Sequence, residues 1–372
     1  MIKIGITGQA GFVGTHLYNT LGLYPNEFER IDFQRSFFDN ETSLDTFVSQ
    51  CDVIVHLAAL NRHNEPQVIY DTNIGLVEKI INALTKTNSK AHVLFSSSTQ
   101  EERDNLYGKS KKEGRELMIG WAEKSGGKFS GLIIPNVFGP FGHPNYNSVV
   151  ATFCHKLAQG ETPVIDIDGD LKLIYVGQLV DEILKKIRSG EENNEVVVPF
   201  TSKAKVSELL DLLQGYKKCY QDKGEIPAIN STFELNLFNT FRCYMDIANH
   251  FPVKFVQHTD PRGSFVEVIR LGVGGQVSFS TTLPDITRGN HYHTRKIERF
   301  AVIKGKALIQ LRRIGSDEVL DFYLDGNEPA YVDMPIWYTH NIKNIGDEIL
   351  YTNFWINEFF DPNDADTYFE EV

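Results

Sequence analysis

The chain opens on a short apolar run, Ile2-Lys3-Ile4-Gly5-Ile6, which passes through Thr7 into Gly8-Gln9-Ala10-Gly11-Phe12-Val13-Gly14 and then into a helical pattern from Thr15 to Leu21. A glycine run between a buried strand and a helix commits this part of the chain to a strand-turn-helix unit. The glycines permit the tight turn and let the backbone approach an anion at the positive end of the helix. The apolar run reaches glycine too early for a signal peptide or a membrane span. Further apolar runs at Val53–Leu57, Val93–Phe95 and Leu132–Ile134 alternate with amphipathic helical stretches. Strands that alternate with helices predict a doubly wound parallel sheet, an α/β Rossmann-type fold covered on both faces.

Ser207–Leu213 still reads as helix, but beyond about residue 250 the pattern changes to short strands of period two with turn glycines, as in Gly275–Thr281, Phe300–Ile303 and Ala307–Arg312. That pattern predicts an all-β barrel or sandwich. A length of 372 residues exceeds what one hydrophobic core usually serves, and the two patterns predict modules over residues 1–245 and 246–372. A net charge of −12 without a long basic run opposes binding to nucleic acid or anionic lipid. Cys51, Cys154, Cys219 and Cys243 form no C-x-x-C pair, which suits reduced thiols in the cytoplasm.

Chemistry concentrates in three places. After the second strand, Asp32 can accept from an adenosine ribose hydroxyl, favouring NAD, whereas Arg35 can pair with a 2′-phosphate, favouring NADP. Tyr107 and Lys111 are four residues apart and share one helix face, where the ammonium is expected to lower the phenol's pKa and prepare it to protonate a carbonyl that receives hydride. Ahead of them, Ser96-Ser97-Ser98 ends a strand, placing hydroxyls at the mouth of a parallel sheet. In the second half, His291 and His293 project to one face of a strand, Glu298 returns after a turn, and His340 supplies a third imidazole. Three imidazoles and a carboxylate suit a divalent Zn, Fe, Mn or Ni ion, with zinc the first expectation.

The glycine run, His56-Leu57-Ala58-Ala59, Asn73, the serine-rich strand end, Tyr107/Lys111 and Pro135-Asn136-Val137-Phe138-Gly139 resemble, in order and spacing, the extended short-chain dehydrogenase/reductases. The resemblance implies a catalytic triad of Ser98, Tyr107 and Lys111, with Ser97 competing for the first place. It implies a nicotinamide dinucleotide against Gly8, Gly11, Phe12, Val13, Gly14, Leu57, Ala58, Ala59 and Asn73, besides Asp32, Arg35, Tyr107 and Lys111. Dehydratases of that family carry an Asp-Glu pair after the catalytic hydroxyl. Here Thr99 and Gln100 stand there, which disfavours water elimination and leaves reduction or carbon-4 epimerisation.

His291-x-His293-x4-Glu298-x6-Gly305, followed by Pro335-x-Trp337-x2-His340-x3-Asn344, resembles the two cupin motifs. Asp285 and Trp337 replace motif glycines, and Trp337 is expected to narrow the barrel mouth. Asp260-Pro261-Arg262-Gly263-Ser264-Phe265 and Arg288-Gly289-Asn290-His291 are similar to elements of cupin-fold epimerases that act on 4-keto-6-deoxy sugars. With Pro144-Asn145-Tyr146-Asn147-Ser148 and the closing Asp361–Val372, the whole chain resembles the CapF-type bifunctional UDP-2-acetamido-2,6-dideoxy-β-L-arabino-hexos-4-ulose reductases. That resemblance implies NADPH-dependent reduction at carbon 4 and carbon-3 epimerisation in the cupin, on the route to UDP-N-acetyl-L-fucosamine for capsule or O-antigen. It also implies a UDP-amino-sugar substrate held by Asn136, Asn145, Asn147 and Arg262, and a homodimer. The alternative is an NAD-dependent nucleotide-sugar 4-epimerase whose cupin is only a structural or dimerisation module.

Overall fold

The computed structural model describes all 372 residues. The first stretch runs β1 (Ile2–Thr7), α1 (Phe12–Leu21), β2 (Phe28–Ile31), α2 (Glu41–Gln50), β3 (Val53–His56), α3 (Pro66–Lys86), β4 (His92–Ser98), α4 (Leu106–Ser125), β5 (Lys128–Ile134) and β6 (Asn136–Phe138). It continues through α5 (Val149–Ala158), β7 (Asp170–Tyr175), α6 (Val176–Ser189), β8 (Asn193–Val197), β9 (Ser202–Lys205), α7 (Val206–Tyr216), α8 (Thr232–Arg242) and α9 (Ile247–His250). Only strands follow: β10 (Val253–Lys254), β11 (Gln257–Asp260), β12 (Gly263–Val266), β13 (Gln276–Thr282), β14 (Thr287–Tyr292), β15 (Glu298–Lys304), β16 (Lys306–Arg313), β17 (Val319–Asp325), β18 (Ala330–Met334), β19 (Tyr338–Asn344), β20 (Leu350–Ile356) and β21 (Tyr368–Phe369). No helix is long and apolar enough to cross a membrane, and all four cysteines are unpaired.

The chain divides into two compact units, one of residues 1–149 and 169–205, the other of 150–168 and 206–372. The first holds a six-stranded sheet in the order β2-β1-β3-β4-β5-β8, parallel throughout. Strand pleating explains its three layers. Val53 and Val55 on β3 join Leu17, Leu21, Leu179 and Ile183 of α1 and α6 on one face. Ile54 between them joins Phe47, Val77, Ile80 and Trp121 of α2, α3 and α4 on the other. Both faces are covered, so the strands read as continuous apolar runs, as expected.

The second unit contains two five-stranded antiparallel sheets, β10-β18-β15-β20-β13 and β17-β16-β19-β14-β21, with a separate β11-β12 hairpin. Ala307, Ile309 and Leu311 of β16 and Phe322 and Leu324 of β17 alternate inward to the core shared with Phe300, Val302 and Val332. The compact units do not follow the expected division at 245/246, because residues 206–245 pack with the β-rich unit. Phe238 of α8 stacks edge-on against Tyr216 and Tyr220, and the Tyr220 hydroxyl donates to Asp333 Oδ2 on β18 at 2.7 Å. Arg242 donates to the Met334 carbonyl at 2.8 Å. The change in hydrophobic period marks where helices give way to strands, whereas apolar and hydrogen-bonding faces decide what each helix packs against.

Candidate functional site

The parallel ladders bring the C-terminal ends of β1, β3 and β4 to one edge of the sheet, with Thr7 beside His56 and His56 beside Phe95. β2 lies on one side of β1 and β3 on the other, so the crevice between them is the switch point where such sheets bind ligands. A cavity of about 570 Å³ opens there, lined by Gly8, Gly11, Phe12, Val13, Gly14, Arg35, Leu57, Ala58, Ala59, Ser98, Tyr107, Lys111, Asn136 and Asn147 among others. Gly8 is required on two grounds. Its φ is +75°, and a Cβ there would lie 2.9 Å from the Ala58 amide nitrogen. At Gly14 a Cβ would come within 2.2 Å of the Gly8 carbonyl oxygen. Gly11, the residue before α1, caps the helix without a side chain, so the helix N-terminus faces the cavity through backbone alone.

Asp32 and Arg35 part company in the fold. Asp32 lies outside the cavity and accepts a 2.8 Å hydrogen bond from the Tyr18 hydroxyl, while Arg35 lines the cavity. Asn73 stands behind the wall. Its amide clamps Leu60 by donating to the carbonyl (3.1 Å) and accepting from the amide N–H (2.7 Å), and it also donates to Ser110.

The two candidate serines also separate. Ser97 is buried and donates its hydroxyl to Glu101, whose carboxylate is gripped by Arg115 through Nε at 2.9 Å and Nη2 at 2.7 Å. Ser98 sits beside the Tyr107 phenol, and its hydroxyl lowers the phenol's pKa against the larger effect of burial. Helix α4 starts at an Asn105 cap that accepts from the Gly108 amide at 2.7 Å, and a Cβ at Gly108 would meet the Gln100 carbonyl at 2.0 Å. Glycine at 108 thus lets the helix carrying Tyr107 and Lys111 lie against the serine strand end.

One electrostatic expectation is corrected. Burial, with a smaller push from Tyr146, raises the Tyr107 phenol to about 12, so the shift runs opposite to the lowering expected from Lys111. The Lys111 ammonium is itself buried, which draws its pKa down to about 8 against the opposing pull of Glu101. It donates to the Ser96 carbonyl at 2.8 Å and lies 5.8 Å from the centre of the Tyr107 ring.

Asn136 and Asn147 line the cavity, but Asn145 does not; its carbonyl accepts from Arg62 at 2.8 Å. Arg62 also donates to the Tyr146 carbonyl at 3.0 Å, and the Tyr146 hydroxyl accepts from the Asn61 amide at 3.2 Å, fixing a phenol in the cavity wall. Arg262 belongs to the β-rich unit, on the exposed β11-β12 turn, where it pairs with Asp260 at 2.6 Å.

In the second unit, His291, His293, Glu298 and His340 come together with donor atoms all within 4.8 Å of one another. β14 and β19 pair His291 with His340 across a bulge at Gly289, whose φ of +102° and closeness to the His340 carbonyl exclude a side chain. His293 Nδ1 donates to the Asp366 carbonyl at 2.5 Å and His340 Nδ1 to that of Tyr338 at 3.2 Å. A carbonyl only accepts, so in the neutral rings Nε2 is a bare lone pair, and both Nε2 atoms face Glu298 Oε2 at 3.2 and 3.1 Å. Converging lone pairs beside a carboxylate are balanced by a cation, and this donor set fits a divalent metal. When protonated on Nε2, the two imidazoles instead outweigh the burial that opposes ionisation of Glu298 and hold its carboxyl well below the usual range.

The replaced motif glycines fall at Asp285 and Trp337, both with φ of 62°, which explains why that motif favours glycine there. Trp337 is buried against the Tyr292 ring, 5.7 Å between centroids, a packed position that accommodates the strain.

Residues 4–198 match the NAD dependent epimerase/dehydratase family and residues 258–368 the polysaccharide biosynthesis C-terminal domain. The chain is 31% identical to a UDP-2-acetamido-2,6-beta-L-arabino-hexul-4-ose reductase of Pseudomonas aeruginosa, over 99% of this chain and 98% of that protein. It is similar to the crystal structure of the capsular polysaccharide assembling protein CapF from Staphylococcus aureus, with 36% identity, full coverage of both chains and a TM-score of 0.63. A second structure, RMD from Pseudomonas aeruginosa complexed with NADPH, shares the fold at 21% identity and TM-score 0.53 over 59% of this chain and 83% of that one. With its glycine-lined crevice at the switch point and matches that span the chain, this protein is an NAD(P)H-dependent oxidoreductase belonging to the NAD dependent epimerase/dehydratase family.

Proposed function

We propose that the protein reduces carbon 4 of a UDP-4-keto-6-deoxy-N-acetylhexosamine with NADPH, and that its β-rich unit, a cupin, epimerises carbon 3 of the same substrate. The sugar lies on the route to UDP-N-acetyl-L-fucosamine for capsule or O-antigen. The observation that carries the reading is the arrangement of Ser98, Tyr107 and Lys111 on the wall of the glycine-lined cavity, with Thr99 and Gln100 following in place of titrating residues. The nicotinamide supplies hydride when bound. Tyr107, its phenol kept protonated by burial, gives a proton to the ketone oxygen, and Ser98 orients that oxygen. Lys111 holds positive charge over the phenol ring, and Asn136 and Asn147 hold the substrate at the cavity mouth. Asn145 and Arg262 are proposed as further sugar contacts, Asn73 supports the cofactor loop, and the reductase and cupin modules, by sequence residues 1–245 and 246–372 although 206–245 pack with the β-rich unit, belong to a cytoplasmic homodimer.

In the cupin, a divalent metal, zinc first, supplies positive charge that steadies an enolate. His291, His293, Glu298 and His340 would hold it. The two reactions have a joint logic: carbon 3 can be inverted only while carbon 4 is a ketone, and reduction then locks the result. The test is to supply the 4-keto sugar with NADPH and follow cofactor oxidation together with product stereochemistry. Oxidation with inversion at carbon 3 supports the reading. Interconversion at carbon 4 with a tightly retained NAD and no cofactor consumption would establish the 4-epimerase instead.

Two predictions attach to the cofactor half. Arg35 on the cavity wall and Asp32 outside it favour a 2′-phosphate. Arg35→Ala is expected to lower kcat/KM for NADPH by about ten- to a hundredfold, the worth of a hydrogen-bonded charge. NADH use should stay within about threefold, as steady-state rates with the two cofactors would reveal. Equal losses with both would reject the assignment.

The second concerns pH. Lys111 is protonated below about 8 and neutral above it, so kcat/KM for reduction should fall as pH rises through that value. In Lys111→Arg the guanidinium does not titrate, and the falling limb near 8 should vanish from the residual activity. A limb unchanged in the variant would exclude Lys111 as its source.

A further inference from the structure

The closing segment, Asp361–Val372, reaches β14 and β19, which carry His291 and His340, and the turn between His293 and Glu298. β21 pairs with β14 at His291 and Tyr292, and the Glu370 amide donates to the Asn290 carbonyl at 3.0 Å. The Thr339 hydroxyl, one residue before His340, donates to the Glu370 carbonyl. Asp366 is the centre of the attachment. Its carbonyl takes the His293 Nδ1 proton at 2.5 Å, which turns Nε2 toward the cluster.

The Asp366 carboxylate is buried, with 4% of the residue exposed, and accepts from the Thr294, Arg295 and Lys296 amides at 3.0, 3.1 and 3.1 Å and from the Thr294 hydroxyl at 2.6 Å. Those amides belong to the turn between two ligands, His293 and Glu298. The residue holds a φ of 39°, a costly conformation for aspartate that persists only where the surroundings fix it.

We infer that the C-terminal segment is a strap that assembles the metal centre, with Asp366 as its positioning residue, so that metal binding and docking of the strap stabilise each other. The inference rests on reading the cluster as a divalent-metal site. Asp366 contributes no ligand. It sets the direction of the His293 lone pair and the length of the turn that returns Glu298, and a group that orients a metal's histidine in this way governs affinity. Linkage makes the effect reciprocal: whatever tightens the metal must tighten the strap by the same factor.

The test uses the full-length protein with cobalt(II), whose visible spectrum reports ligand geometry, and a competing chromophoric chelator to measure affinity. Asp366→Ala is expected to weaken cobalt binding about ten- to a hundredfold and to alter the spectrum. Asp366→Asn, which keeps one accepting oxygen, should lose less. Independently of any variant, adding zinc to the wild-type protein should slow hydrogen exchange at the Asp366–Glu370 amides. A folded Asp366→Ala protein, judged by circular dichroism, with wild-type cobalt affinity and spectrum overturns the strap but leaves the metal site standing. Unchanged exchange on zinc addition does the same. A wild-type protein that binds neither ion overturns both the strap and the metal reading.

Discussion

Tyr107→Phe is expected to lower kcat/KM for ketone reduction by about a hundred- to ten-thousandfold, or about 3 to 5 kcal/mol of transition-state stabilisation, while NADPH binding stays within about threefold. The size follows from what the phenol does. A ketone receiving hydride develops negative charge on oxygen, and burial keeps the Tyr107 proton in place up to about 12, so the acid is intact across the working pH range. Phenylalanine keeps the ring that lines the cavity and lies beneath the Lys111 ammonium, and loses only the proton. Cofactor titration and single-turnover rates separate the two effects. Turnover at more than a tenth of the wild-type rate would transfer the acid role elsewhere, with Tyr146 the first candidate on the cavity wall.

The second large effect belongs to the other unit. In heavy water without any nicotinamide, the full-length protein should exchange the carbon-3 proton of a UDP-4-keto-6-deoxy amino sugar for deuterium. His340→Ala should reduce that exchange by about a hundredfold or more, the scale of losing an electrophile that steadies an enolate. His340 is fully buried and shares Glu298 with His293, so the substitution removes a ligand and leaves a hole together. Circular dichroism must therefore accompany the assay. A sugar already reduced at carbon 4 has no ketone to acidify the neighbouring proton and should remain unlabelled. Full-length protein is the right material, because α7 and α8 pack with the β-rich unit, and a fragment starting near residue 250 would leave the faces that meet Tyr220 and Arg242 bare. Folded wild-type protein that takes up no deuterium would leave a reductase whose second unit has another task.

Much of this was legible in the order of residues, because local chemistry constrains local geometry. A strand ending in glycines before a helix admits few conformations, and Gly8 and Gly14 meet the close approaches expected of them. Period-two and helical alternation announced the two sheet types, since pleat and helical turn bury residues at fixed spacings. His291 and His293 needed little more than the pleat, although β14 ends at Tyr292 and His293 is the first residue after it, and Thr99-Gln100 could be read as non-titrating wherever it lay.

Other features depended on which surfaces meet across long stretches of chain. Ser97 and Ser98 are adjacent and alike. Only the half-buried Glu101-Arg115 pair, which no motif announced, takes the first and leaves the second beside Tyr107. Asp32 and Arg35 were equal candidates until the fold gave one to Tyr18 and the other to the cavity. Spacing supplies the charge of Lys111 but not the water that packing removes, and it is burial that sets the sign of the Tyr107 shift. Asp366 lies far along the chain from the turn it organises, and Tyr146 joined the cavity through Arg62 and Asn61; the runs that contain both residues resembled a family, but neither run announced these partners. Sequence by itself determined the elements, their periodicity and the kinds of chemical group the chain carries. Tertiary structure alone decided which of those groups lose water, which carboxylate finds which donor, and which faces meet, because desolvation and long-range hydrogen bonding have no counterpart in residue order.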